Sequence, residues 1–273
     1  MKKIIINMDV EQDFPSKIKN GYVGIEHLQR FLLLLRQLDL DASFFITADV
    51  CNRFPETVRQ IHSDGHLIGC HGYCHRELWF KTYRQQLDEI ERATLVLSEV
   101  LGFRPSMFRA PRFSVNERTL KALEKLDYSM DSSILPNHEV RCFKGLIKCH
   151  SHKGAPVSPY HPSLKDIKVK GSSSLIEVPL TENPLFAGAP IGAGFLNKYG
   201  VDETLKAISL VQNDYVMFLL HPWELIDIGQ YYPYLEDWIL EICSGDLSIL
   251  EQFFEAIKKE HIVCNFKDIM QNI

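Results

Sequence analysis

The sequence has no internal repeat, no low-complexity linker and no long basic run. Its charges nearly cancel, with 30 Lys and Arg against 35 Asp and Glu and a formal net charge of −5. The scattered basic residues read as a solvated surface, which excludes a nucleic-acid partner. Long apolar runs are missing too. "FLLLLRQLDL" is too short to span a bilayer, so no transmembrane segment is expected. The apolar stretch that opens the chain is interrupted by Asp9, Glu11 and Asp13, too early for a secretory signal core. These features predict a soluble, cytoplasmic protein. A paired cysteine framework is also absent, since the seven cysteines are an odd number, and reduced thiols are expected.

What is present is a core. The 273 residues are 45% hydrophobic, enough for one barrel-sized domain, and the chain is read as a single domain over 1–273. "KKIIINMD", "ASFFITA", "HLIGC", "SMFRAP", "YSMDSS", "SLIEVPL", "YVMFLLH" and the short run "HIVCNF" read as strands. Helical patterns fall between them, at 24–38, 55–65, 83–101, 116–126, near 202–211 and near 248–259. Pro55 opens one helix, Asn116 caps another, and Gly65 and Gly102 close two. Residues 137–174 are rich in Lys, Ser, Gly and Pro and are expected to be an irregular insertion over or beside the strand ends. The alternation predicts parallel strands wrapped by helices, as an open sheet or a barrel.

Barrels of this kind carry chemistry at the C-terminal ends of their strands. Four strand ends here hold unusual polar groups. The first runs "MDVEQD", whose Asp9, Glu11 and Asp13 share one side of an extended segment. The third ends in Cys70-His71, and His75 follows four residues later, the spacing that shares a face on a helical turn. "FRAP" presents Arg109, and "FLLH" presents His221. Each alone has a bland reading as an ion pair or a half-buried residue, but together they line one rim. Two histidines and a carboxylate are a common set for catalytic Zn²⁺. A second carboxylate serves as a base, an arginine holds it ionised, and a histidine on the opposite rim protonates a leaving amine. The set describes a metal-assisted amide hydrolase.

From residue 3 to about 225, these motifs resemble, in order, the polysaccharide deacetylases with a NodB-homology domain. "ASFFITADVCNRFPETVRQIHSDGHLIGCHGYCHREL" is similar to the family's second-strand to histidine-motif region. "FRAPRFS", "YSMDSSI", "IEVPLT" and "LLHPWEL" look like a cytoplasmic-type branch associated with polysaccharide gene clusters. The resemblance implies a distorted (β/α)₇ barrel and one divalent metal ion, with Zn²⁺ expected. It implies Asp9 as catalytic base, His71 and His75 as metal ligands, Arg109 as brace of the base, His221 as catalytic acid and Asp131 as the carboxylate that orients it. Leu219 would line the acetyl-methyl pocket, and a backbone N–H near Phe113 would stabilise the oxyanion. Phe113, Leu219 and Trp223 are the expected substrate contacts, and the partner is an N-acetylated sugar or sugar conjugate.

The chain departs from the family pattern in places. Many members carry the metal-binding Asp directly after the base, where this chain has Val10. Branches spaced D-x-D or D-x-E point instead to Glu11, with Asp13 as the rival. Gly72 replaces the Ser or Thr that usually follows the first histidine, and Trp223 stands after His221 rather than beside the fourth motif. The competing readings are a structural zinc module on Cys70, His71, Cys74 and His75, a glycosidase with paired carboxylates, and a non-catalytic sugar-binding barrel. Cys70 is expected to face the barrel wall, and His150, His152 and His161 are expected to be incidental. The same site would also suit a cyclic ureide, an imide or a formyl-sugar.

Overall fold

The computed structural model describes residues 1–142, 147–243 and 245–270. Its strands are β1 (Lys3–Val10), β2 (Ser43–Ile46), β3 (Leu67–Cys70), β4 (Met107–Phe108), β5 (Met130–Asp131), β6 (Glu139–Cys142), β7 (Ile147–Ser151), β8 (Pro162–Ser163), β9 (Asp166–Lys170), β10 (Ile176–Glu177), β11 (Tyr215–Leu220) and β12 (Ile262–Cys264). A parallel sheet runs β10-β5-β4-β3-β2-β1-β11, with β12 joined to β1. The seven strands of that path curve into a distorted (β/α)₇ barrel. Between β10 and β11 irregular chain completes the wall. Ile191 N–H donates to Thr181 O, and Leu219 N–H donates to Ile191 O.

The helices are α1 (Val23–Glu26), α2 (Gln29–Gln37), α3 (Ala48–Arg53), α4 (Pro55–Ser63), α5 (Tyr83–Leu101), α6 (Glu117–Lys125), α7 (Ala193–Leu210), α8 (Asp237–Ile242), α9 (Leu247–Glu260) and α10 (Phe266–Met270). Helix α5 opens on a capping box at Thr82 and Gln85, and α6 opens on another at Asn116 and Thr119. Each satisfies backbone donors that a helix start leaves unpaired. The helix expected near 202–211 begins earlier, at Ala193, and breaks at Gly200. The apolar pattern at 24–38 divides into α1 and α2.

Strand pleating explains the site. In β1 Ile4, Ile6, Met8 and Val10 pack outward into the sheet–helix core. Ile5 points into the barrel with Phe45, Met107, Met130 and Met217, above Phe266 and Ile269 of α10, which plug its base. Two and four residues on, the inward positions are Asn7 and Asp9, which reach the buried Arg109. One period-2 pattern therefore builds an apolar floor and a polar top.

The insertion is more regular than its composition implies. Strands β6 and β7 pair antiparallel, as do β8 and β9. The expectation of an irregular 137–174 is corrected to two short hairpins, though residues 143–146 lie outside the described residues. These strands are two to five residues long, too short for a period to show through Lys and Ser. Among the described residues no helix is long and apolar enough to cross a membrane.

One close approach sets the mouth of the barrel. Gly192 bridges Leu219, and a Cβ on Gly192 would sit 2.3 Å from Leu219 O. Both sides of that contact are backbone, so neither yields easily. Gly192→Ala is expected to cost about 1–3 kcal/mol by overpacking and to displace the chain leading to His221. Chemical denaturation checks this, and an unchanged midpoint would show that the wall relaxes freely.

Candidate metal and acid–base site

The polar top centres on Arg109, which is fully buried. Its Nε donates to Ser132 O at 2.7 Å and its Nη2 to Ser132 Oγ at 2.8 Å. Its Nη1 donates to Asn7 Oδ1 and to Asp9 Oδ1, both at 2.7 Å. The guanidinium also lies 4.1 Å from the Phe45 ring centroid, a cation–π contact. Asp9 is thus fixed through one oxygen.

Glu11, His71 and His75 converge beside it, with donor atoms all within 4.8 Å of one another. Glu11 Oε2 lies 3.3 Å from His71 Nε2 and 2.7 Å from His75 Nε2. His71 Nδ1 is 2.8 Å from Arg109 O, which makes it the N–H donor and leaves Nε2 with a lone pair facing the site. Burial alone would raise the Glu11 pKa, but the imidazoles of His75 and His71 bring it down to about 2. His71 is shifted upward, since Asp9 and Glu11 outweigh its burial.

Glu11 Oε2 and His71 Nε2 are buried, and their short contacts with each other and with His75 lack hydrogen-bond geometry. Unpaired buried polar atoms are costly. Two imidazoles and a carboxylate with inward-facing orphaned atoms fit a divalent cation. Asp13, the alternative to Glu11, is committed elsewhere. Its Oδ2 accepts from Val23 N–H at 2.6 Å and Tyr232 Oη–H at 2.9 Å, and its Oδ1 accepts from Gly24 N–H at 3.0 Å. It caps α1 instead.

The histidine pair does not ride on a helix, as its spacing suggested. Residues 71–78 form bends and loop. Gly72 has φ +77°, and its O accepts from Ala48 N–H. That left-handed turn favours glycine and accounts for the missing Ser or Thr. Cys70 points away, into the sheet–helix core, where burial pushes its thiol up to about 11. Cys74 is not among the converging donors. His161 bonds the carbonyls of Ser173 and Leu175, and His150 and His152 meet each other at 2.5 Å, also apart from the cluster.

Across the mouth, His221 Nδ1 is 3.2 Å from Glu224 Oε2, and the same oxygen accepts from His221 N–H at 2.7 Å. Burial would lower the His221 pKa, but Glu224, with help from Glu11 and Asp9, raises it to about 9. This corrects the expectation that Asp131 orients His221. Asp131 accepts from Ser133 Oγ and faces Glu177 within the barrel wall. Glu224 was missed, although the H-x-x-E spacing of "HPWEL" is a capping signature. Trp223, expected against substrate, is buried and stacks on His221, with ring centroids 4.3 Å apart. Phe113 and Leu219 do meet, with Leu135 and Leu180, in a small apolar cluster. The Phe113 N–H donates to Ala110 O at 3.0 Å, so it is not free for an oxyanion.

Glu177 was also missed as a site residue. It is fully buried, and its Oε1 accepts the N–H groups of Ser133 and Ile134. Ser133 Oγ accepts from Ala110 N–H, and Ser132 holds Arg109. The Asp131–Glu177 pair therefore anchors the loop that fixes Arg109. Burial, and then the Asp131 carboxyl, push Glu177 well above the usual carboxylate range.

The family profile described as polysaccharide deacetylase matches residues 20–130. A peptidoglycan deacetylase of Helicobacter pylori is 27% identical over 127 residues, which is 46% of this chain and 43% of that protein. The chain spans less than half the length of the curated relatives it matches. A Mycobacterium smegmatis structure assigned to the polysaccharide deacetylases superposes with a TM-score of 0.68 at 18% identity, covering 100% of this chain and 90% of the other. A CE4 family pseudoenzyme from Bacillus anthracis superposes at 0.58 with 12% identity, covering 98% and 64%. Identities this low carry the fold alone.

A pH effect follows from the buried pair. The folded protein keeps a proton on Asp131–Glu177 that the unfolded chain releases above the ordinary Glu value of 4.5. The native state binds more protons there, so the pair's contribution to stability falls as pH rises above that value. Glu177→Gln keeps the acceptor for Ser133 and Ile134 and supplies a donor to Asp131. It should flatten the decline in thermal midpoint from pH 5 to pH 8, whereas a slope equal to wild type would mean the pair is ionised.

Proposed function

We propose that the chain is a member of the polysaccharide deacetylase family, whose profile it matches over residues 20–130, and that it is a metal-dependent amide hydrolase. It removes an N-acetyl group from an amino sugar during surface-polysaccharide synthesis. The observation that carries the reading is the placement of the Glu11, His71 and His75 donors beside the Asp9–Arg109 pair. Those three residues would hold a divalent cation, with Zn²⁺ the ion we propose on the donor set. When bound, such an ion supplies Lewis acidity, polarising a carbonyl and lowering the pKa of a nearby water.

The chain's own residues divide the proton transfers. Asp9 is held at Oδ1 by Arg109, which leaves Oδ2 to take the proton of the attacking water. Its neighbours Arg109 and Asn7 lock its orientation. On the other side, His221 keeps Nδ1 toward Glu224, so Nε2 carries the proton to the departing amine. A pKa near 9 keeps this imidazole protonated at neutral pH. An amine leaves poorly unless protonated, so the two groups act in sequence. Trp223 stacks behind His221 and limits its rotation. Phe113 and Leu219 form the apolar surface that meets the acetyl methyl.

We also infer a reducing compartment, the cytoplasm. Cys51, Cys70, Cys74, Cys243 and Cys264 are all free thiols, three of them buried, which supports that setting.

Replacing one member of the pair tests this division. Asp9→Asn should lower kcat on an N-acetylated amino sugar by about 10²–10⁴ while the protein retains its ion. His221→Ala should lower kcat to a similar extent and abolish the alkaline limb of the rate profile. In wild type that limb falls as pH rises through about 9 or somewhat below, since a bound cation offsets the pull of Glu11 and Asp9. Near-normal turnover in either variant would contradict the two-sided scheme.

A further inference from the structure

A cavity of about 510 Å³ opens beside His221 and Leu219, bounded by α7, α8 and the chain from Asn183 to Gly192. That volume lies in the range of small-molecule sites. Its walls are mainly apolar, and its rim carries three aromatic side chains that remain in solvent. Phe186 is 53% exposed, Tyr199 43% and Trp238 51%. Large aromatic groups gathered at the mouth of one cavity mark a binding surface rather than scattered exposure.

The polar groups on the wall are nearly all engaged. Lys198 pairs with Glu241 at 2.7 Å, so its charge is answered. Glu224 is bonded to His221. Asn183 differs. It is 1% exposed and lines the cavity, yet its Nδ2 has no hydrogen-bond partner. Its Oδ1 accepts from Leu185 N–H at 2.9 Å, which fixes the amide's orientation and leaves Nδ2 as the free donor. A buried donor left unpaired is costly, so an occupant that supplies one acceptor relieves it.

We propose that this cavity is a subsite for a neutral apolar group of the substrate, an alkyl chain or aromatic ring bearing one acceptor oxygen. It rests on the reading of His221 as the acid of an amide hydrolase, and it places this group next to the amide. A bare sugar ring suits the cavity less well, because its several hydroxyls would meet few free donors, Asn183 Nδ2 and His221 Nε2 among them, and mostly carbon. A charged group is disfavoured too, since both cations on the wall, Lys198 and the protonated His221, already have their carboxylates in Glu241 and Glu224. The apolar group belongs either to the acyl part or to a substituent on the amine-bearing part, and substrates separate the two.

Three probes suffice: the methyl and octyl glycosides of N-acetylglucosamine, and the methyl glycoside carrying N-hexanoyl in place of N-acetyl. Wild type should show kcat/KM at least tenfold higher for the octyl compound, or for the hexanoyl compound, than for the methyl N-acetyl compound. The arm that responds identifies which part enters the cavity. Trp238→Ala, at an exposed position, should cut that ratio by about tenfold, chiefly through KM. Asn183→Asp keeps the acceptor for Leu185 and replaces the donor, and should lower the ratio similarly. Equal kcat/KM for all three compounds in wild type would overturn the subsite while leaving the hydrolase reading intact. If no compound is turned over, calorimetry with the octyl and hexanoyl compounds decides. Binding of either that weakens tenfold in Trp238→Ala keeps the subsite and sinks the hydrolase reading, and no binding overturns the subsite.

Discussion

The site depends on a buried ion pair. Arg109 has no exposed surface, and Asp9 beside it has almost none. Removing one partner of such a pair leaves an unpaired charge in the interior, at a typical cost of about 3–5 kcal/mol. Here the pair is tolerable because every direction around the guanidinium is answered by Asn7, Asp9, Ser132 or the Phe45 face. Four strands contribute to that arrangement directly or through the loops they lead into, so the ion pair ties the polar top of the barrel together. His71 is drawn into the same frame, since its Nδ1 meets the carbonyl of Arg109. One residue thereby positions a carboxylate through its side chain and an imidazole through its backbone.

Much of this was legible in the sequence because it follows from period and spacing. "KKIIINMD" reads as a buried strand, and every residue from Ile4 to Val10 is buried, with Ile4, Ile6, Met8 and Val10 in the sheet–helix core and Asn7 and Asp9 on the inner face. The 83–101 helix carries its own capping box and closing glycine, and its limits agree with the structure. Glu11 and Asp13 were not separable, because alternation puts both on one side. What separates them is distant chain, as Val23, Gly24 and Tyr232 occupy both oxygens of Asp13.

The parts that escaped are those set by tertiary register. Nothing in "YSMDSSI" indicates that Asp131 looks across to Glu177 of a neighbouring strand rather than toward His221. Glu224 lay within a quoted motif, yet its role appears only when the turn after His221 places its carboxylate under the ring. Trp223 changes meaning likewise, from a sugar platform to the wall behind an imidazole. The hairpins of the insertion are too short to show a period at all.

Fold alone does not establish catalysis here, since a pseudoenzyme shares the architecture. The distinguishing content is local: three donors converge on one point, with two of their atoms buried in short contacts that lack hydrogen-bond geometry. The most direct test is the metal content of purified protein after dialysis against trace Zn²⁺, comparing Glu11→Gln with Asp13→Asn. The account predicts near one ion per chain in wild type and in Asp13→Asn, and at least a tenfold loss of affinity in Glu11→Gln. Retention in Glu11→Gln, or loss confined to Asp13→Asn, would contradict it.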